Sequence, residues 1–315
     1  MDAFSPFDPI LNRPDREVSN PWRLVGEDVE YAPDLALLCE LIEVAAASGG
    51  LDDNTGSLAN AIDAWLADEF RRAGFGENEV WPRRREPRVI EPAIAEFEQH
   101  LVSIEQDIID KESRRRSPDE VMMKSLRTRI FALRNKLPGS VSAHALGRFY
   151  NKQIDVMASH IERGPLLMVS TKTMTTDYQK NIANRFEEAI GDGTNLKMRF
   201  PLGSLGYVMV TPANVFDDGN AYAKLVNLVD SLETAEGRYD AAALVVFELE
   251  GGRVHLLDEL DERTPGSAHL FGRFFKRILE QLFRTTPVEF LPEQRRRWGY
   301  TVPGAPLRPP VLGAS

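Results

Sequence analysis

The chain has 315 residues and is 43% hydrophobic, enough to bury a sizeable core in two domains or in one domain with an extension. A formal net charge of −10 argues against a nonspecific nucleic-acid coat protein, but leaves room for an enzyme whose acids hold metal and whose phosphate contacts are local. The single cysteine, Cys39, excludes an internal disulfide and a cysteine-rich zinc site. Cys39 sits in the apolar run Leu35 to Ile42 and reads as a buried core thiol, so a reducing cytoplasm is expected. Runs such as Leu166 to Val169 and Ala241 to Phe247 are too short to span a bilayer. The N-terminus has no basic stretch followed by an apolar one, so no signal peptide is expected.

In chain order, residues 1–32 are rich in Pro, Asp and Asn and read as an irregular arm. A helical region, 33–138, follows. Helices are predicted over 33–48 and 57–73, with Leu58, Ile62, Trp65, Leu66 and Phe70 at helical spacing, and Gly49-Gly50 with Asp52 in the loop between them. Within 92–137, Ile94, Phe97, Leu101, Ile104 and Ile108 step by three and four. Ser117 then reads as an N-cap, Pro118 as the first helical position and Glu120 as the capping-box partner of a second helix bearing Met122, Leu126, Ile130, Leu133 and Leu137. The pair makes an antiparallel hairpin that can dimerise, clamp DNA or pack on the next domain.

From 139 to 300 helices and strands alternate, and 301–315 reads as a loose Pro-rich tail. The expected elements are a short helix Ala143 to Tyr150, strands Gln153 to His160 and Leu166 to Thr171, and a helix Asp177 to Ile190 capped by Asp177. After these come a strand Gly206 to Thr211, a helix Ala221 to Leu232, a hairpin across Glu250-Gly251-Gly252, and a helix 266–284. This order predicts an α/β fold with a mixed central sheet flanked by helices and preceded by a helical region.

The chemistry concentrates in 153–172. A hairpin closed by Arg163-Gly164 places Asp155 opposite Lys172 and Met157 opposite Ser170. Asp155, Ser170 and Lys172 then share one face, with Ile154, Val156, Leu167 and Val169 on the other. Opposed side chains lie about 5 Å apart at Cβ, the scale of groups that share a metal ion and a phosphate. In the following helix Glu187 borders the stripe of Ile182, Ala183, Phe186, Ala189 and Ile190, while Glu188 points away from it. Hard oxygen ligands suit Mg²⁺, so Asp155 and Glu187 are the candidate metal ligands. Lys172 would orient or deprotonate a water and offset charge, and Ser170 can only hydrogen-bond or hold a water. An Asp and a Lys facing each other on a hairpin are also, more blandly, a cross-strand ion pair.

Asp155 followed by Ser170-Thr171-Lys172 at the end of an apolar strand resembles the PD-(D/E)XK nuclease superfamily, with Ser170 where an acid usually stands. It is similar to the restriction-endonuclease branch with Ser-x-Lys, which recruits an acid from the following helix. The spacing leaves Glu187 or Glu188 as that acid. The resemblance covers residues 143–250 and implies a restriction-endonuclease-like fold and a Mg²⁺-dependent endonuclease cutting double-stranded DNA, acting as a homodimer in restriction or phage defence. Asn181, Asn184 and Arg185 on the helix, with Arg295 and Arg296 beside Trp298 and Tyr300, are the candidate DNA contacts. Two rivals stand: a DNA-binding protein on the same fold with a decayed site, and a helical scaffold acting through 92–137. The five histidines show no ligand spacing. The clusters Arg83 to Arg85, Arg114 to Arg116 and Arg295 to Arg297 are of a kind more often a solvated face than a DNA contact, and the last also suits a C-terminal packing role.

Overall fold

Apolar, β-branched runs set the centre of the molecule. In the computed structural model the strands β3 (Val80–Trp81), β6 (Val156–His160), β7 (Gly164–Thr173), β8 (Ser204–Pro212), β9 (Ala241–Glu250) and β10 (Arg253–Leu257) form one sheet in the order β10-β9-β8-β7-β6-β3. The structure describes residues 2–291 except 15, 17, 18, 27, 53, 54, 114–119, 135, 137, 138, 140, 141, 161, 235–237 and 258–270. Strands β7, β8 and β9 are parallel and the other pairings antiparallel, which gives a mixed sheet. The parallel steps are crossed by α6 (Tyr178–Arg199) and α7 (Ala221–Thr234). The β9–β10 hairpin turns through Gly251 and Gly252, whose φ of +55° and +82° suits a two-residue turn that glycine makes without strain.

The sheet is buried on both faces. On one lie α2 (Leu35–Ser48), α3 (Ser57–Arg72) and α8 (Phe271–Arg284), which share a core with Val156, Leu167, Val169 and Val208. On the other lie α6 and α7, packed on Met157, Met168, Tyr207 and Leu244. Phe275 is the hub of the first core. It stacks on Tyr31 at 4.7 Å and meets Trp65 and Phe70 edge-on. Phe275→Ala is expected to cost about 3–5 kcal/mol, read as a lower denaturant midpoint. Among the described residues no helix is long and apolar enough to cross a membrane.

Several segments differ from expectation. The described residues of the expected arm include α1 (Asp8–Leu11) and a ribbon of β1 (Trp22–Val25) and β2 (Asp28–Tyr31). Phe7, Trp22 and Tyr31 are core residues, and buried ion pairs Arg16–Asp68 and Arg88–Asp2 tie the segment down. Arg83 and Arg84 likewise serve the fold, bonding Asn78 and Asp68. Residues 143–150 are a strand and a turn, not a helix. Ala-His-Ala-Leu alternates buried and exposed with period two, forming β4 (Ala143–Leu146) paired with β5 (Asn151–Ile154). The strand expected over 153–160 is broken at Asp155, so β5 and β6 belong to different sheets. Helix α6 runs on to Arg199 through Gly193, which lies so close under the Tyr239 ring that a Cβ would stand 2.9 Å from it. Asp177 has φ +52° and gives no side-chain cap. The hairpin of α4 (Pro92–Ser113) and α5 (Glu120–Arg134) closes over Leu101, Ile108 and Ile130. The segments 114–119 and 266–270, Leu137, Arg295 to Arg297, Trp298, Tyr300 and 301–315 lie outside the described residues.

Candidate active site

The site forms where β7 runs past the end of β6. The β6–β7 register pairs Val156 with Val169 and Met157 with Met168, and a bulge between Ala158 and Ser159 shifts it near the turn. His160 pairs with Gly164, so three residues rather than two lie between the strands. The slip brings Asp155, at the bend before β6, level with Ser170 instead of Lys172. Asp155 Oδ2 accepts a 2.8 Å hydrogen bond from the Thr171 N–H and a 3.4 Å bond from Ser170 Oγ. Ile154 does not join Val156, Leu167 and Val169 on their face. It ends β5 and packs on the α6 side.

Ser170 and Lys172 project from β7 towards α6, alternating with Thr171, which projects towards α3. Lys172 Nζ donates to Glu188 Oε1 at 2.8 Å. Glu188 is also held by Arg185 Nη1 at 2.9 Å and Lys152 Nζ at 3.5 Å. Burial opposes its ionisation, yet Lys172, Arg185 and Lys152 together hold its carboxyl at about 2. Glu187 is exposed and is not brought to Asp155. The expected stripe on α6 holds at Ile182, Ala189 and Ile190 but fails at Ala183 and Phe186, the latter 37% exposed, and the buried face takes in Tyr178, Asp192, Asn195 and Leu196 instead. Polar residues in the second half of α6 support the β4–β5 ribbon and turn Glu188 inward. Asn184 is exposed and Asn181 half-buried, and neither reaches Asp155.

The acid beside Asp155 comes from α3. Asp63 is 7% exposed, and its Oδ1 is buried without a hydrogen-bond partner. Burial and the Asp155 charge push its carboxyl well above the ordinary range, against the pull of Thr171 and Lys172. Burial also raises Asp155, opposed by the Thr171 N–H, Lys172, Lys152 and Ser170. Burial works against ionising either carboxyl, and the Asp155 charge works against ionising Asp63, so a cation bound beside them would relieve both. A cleft of about 350 Å³ opens beside them, bordered by Asn60, Gln153, Asp2 and Phe4. Asp63 could have been suspected from sequence. It falls three residues before Leu66 and seven before Phe70, an acid placed on steps of the apolar stripe.

Among the described residues no three His, Cys, Asp or Glu side chains gather into a metal cluster. Asp63 and Asp155 both line the cleft and offer hard oxygen donors of the type that Mg²⁺ takes, one or two carboxylates with water and substrate phosphate commonly completing its shell. The chain matches no family model, no curated protein and no solved structure.

Proposed function

We propose that this protein is a Mg²⁺-dependent endonuclease of the PD-(D/E)XK type, hydrolysing phosphodiester bonds of double-stranded DNA on a restriction-endonuclease-like fold. The observation that carries the reading is one junction of four groups. Asp155 is clamped by the β7 backbone, buried Asp63 stands beside it, and Lys172, one residue beyond, is locked to Glu188 of the next helix. In this reading Asp63 and Asp155 hold the ion, and Glu188 replaces Glu187 as the helical carboxylate. Bound there, Mg²⁺ would offset phosphate charge and lower the pKa of a bound water. Ser170 donates to Asp155 and keeps its carboxylate aimed. Lys172 presents a cation where negative charge grows on the scissile phosphate and can hold the attacking water by a hydrogen bond. Glu188 fixes the Lys172 ammonium in place, while Lys152 and Arg185 keep Glu188 ionised. The same reading carries a cytoplasmic restriction or phage-defence enzyme acting as a homodimer.

Incubating mixed phage and bacterial DNAs with the protein in Mg²⁺ or in EDTA, then sequencing the new ends, tests this reading. Ends at a repeated sequence, formed only with Mg²⁺, are expected; intact DNA under every divalent condition overturns it. Glu188→Gln releases Lys172 and is expected to slow cleavage about tenfold or more while duplex binding in Ca²⁺ persists.

A further inference from the structure

The ribbon β4–β5 begins at the rim of the Asp63–Asp155 cleft, where Gln153, Ile154 and Ala143 form part of its wall. Its register pairs His144 with Gln153 and Leu146 with Asn151. Ala143, Ala145 and Ile154 face inward to the core. His144, Leu146, Asn151 and Gln153 face outward and are exposed. Residues 143–154 contain Arg148 and Lys152 and no acid, in a chain of net charge −10. Lys152 turns in to Asp192 and Glu188, which leaves Arg148 as the outward charge.

The tip is held by one residue of α6. Asn195 of α6 is 1% exposed, and its Oδ1 accepts from the N–H groups of Phe149 at 2.8 Å and Tyr150 at 3.3 Å. Its Nδ2 donates to the Tyr150 carbonyl at 3.1 Å, and its own carbonyl accepts from the Arg148 N–H at 3.0 Å. Gly147 donates to the Tyr150 carbonyl at 3.0 Å, and a Cβ on it would collide with the Asn195 amide. All this fixed backbone presents Arg148 and Phe149 to solvent, with Phe149 70% exposed. A turn whose backbone is already fixed loses little backbone freedom on binding, so only the side chains have to be ordered on contact.

We infer that the 143–154 ribbon is the DNA-reading element of this protein, entering the major groove with Asn151 and Gln153 facing base edges and Arg148 and Phe149 at its tip. The inference rests on the nuclease reading for its choice of partner. A two-stranded ribbon fits the major groove, and Asn and Gln amides match the donor and acceptor of adenine there. Arg148 suits a phosphate or guanine, Leu146 suits a thymine methyl, and Phe149 suits a base face. The outward face carries no carboxylate to repel the duplex, and it is continuous with the cleft where cutting would occur.

The test is binding of short duplexes with a randomised centre, in Ca²⁺, followed by selection and sequencing. Wild type is expected to enrich a motif. Asn151→Ala with Gln153→Ala should flatten preference at two positions, and Arg148→Ala with Phe149→Ala should weaken binding of the enriched duplex about tenfold or more. All four positions are exposed, and unchanged near-ultraviolet circular dichroism confirms that the variants fold. Variants that enrich the wild-type motif with wild-type affinity overturn the inference, as does a wild type that binds no duplex. The enriched duplex is then offered to wild type in Mg²⁺. Binding through the ribbon without cutting sinks the nuclease reading alone; cutting by ribbon variants as fast as wild type sinks the ribbon alone.

Discussion

Lys172→Ala is expected to lower DNA cleavage about a thousandfold while leaving duplex binding in Ca²⁺ close to wild type. The ammonium lies one residue beyond the Thr171 N–H that fixes Asp155, so it stands next to the place where a phosphate would meet the ion. Its removal takes away the cation that offsets growing negative charge, while Asp63 and Asp155 keep their oxygens for the ion but lose the Lys172 charge that favours their ionised forms. The fold should tolerate the loss, because Glu188 keeps Arg185 and Lys152 as partners. Single-turnover cleavage and filter binding on the same duplex separate the two quantities. Equal loss of binding and cutting would assign Lys172 to the general hold on DNA instead of the chemical step.

Asp63→Asn is expected to lower cleavage sharply and stabilise the metal-free protein. Burial and the neighbouring Asp155 charge raise the Asp63 carboxyl, so the folded state keeps a proton that the unfolded chain gives up once pH passes about 4. Its contribution to stability is fully present below that pH and is lost as pH rises through the raised folded value. Asparagine does not titrate, so the variant should gain on the order of 1 kcal/mol above that window, seen as a melting point a few degrees higher. The same substitution removes an oxygen anion from the proposed ion site, and cutting should fall at least about a hundredfold. A destabilised variant, or one that still cuts, would make Asp63 an ordinary buried polar residue.

Part of this arrangement could be read without coordinates. The apolar run before Ser170-Thr171-Lys172 demands a buried strand, and alternation then puts Ser170 and Lys172 on one side. The partner register could not be read, because nothing in Ala158-Ser159 marks a bulge and no Gly or Pro marks the break at Asp155. A bulge depends on what the strand meets across the sheet. The phase of α6 was obscured for a different reason. Its buried face includes Asp192 and Asn195, which are polar because they bind a lysine and a turn, so an apolar stripe points to the wrong Glu. Residues 143–150 misled because alternation over four residues is short, and only pairing with β5 selects strand over helix. The pairing of Asp63 with Asp155 was hidden by distance, since more than ninety residues separate them and only the packing of α3 on β7 unites them.

The most direct measurement is Mn²⁺ binding followed by electron paramagnetic resonance on wild type, Asp63→Asn and Asp155→Asn, with Mg²⁺ as competitor. Loss of the bound-ion signal in both variants, and displacement by Mg²⁺ in wild type, is the predicted result. Undiminished Mn²⁺ binding in either variant would contradict a shared site at Asp63 and Asp155.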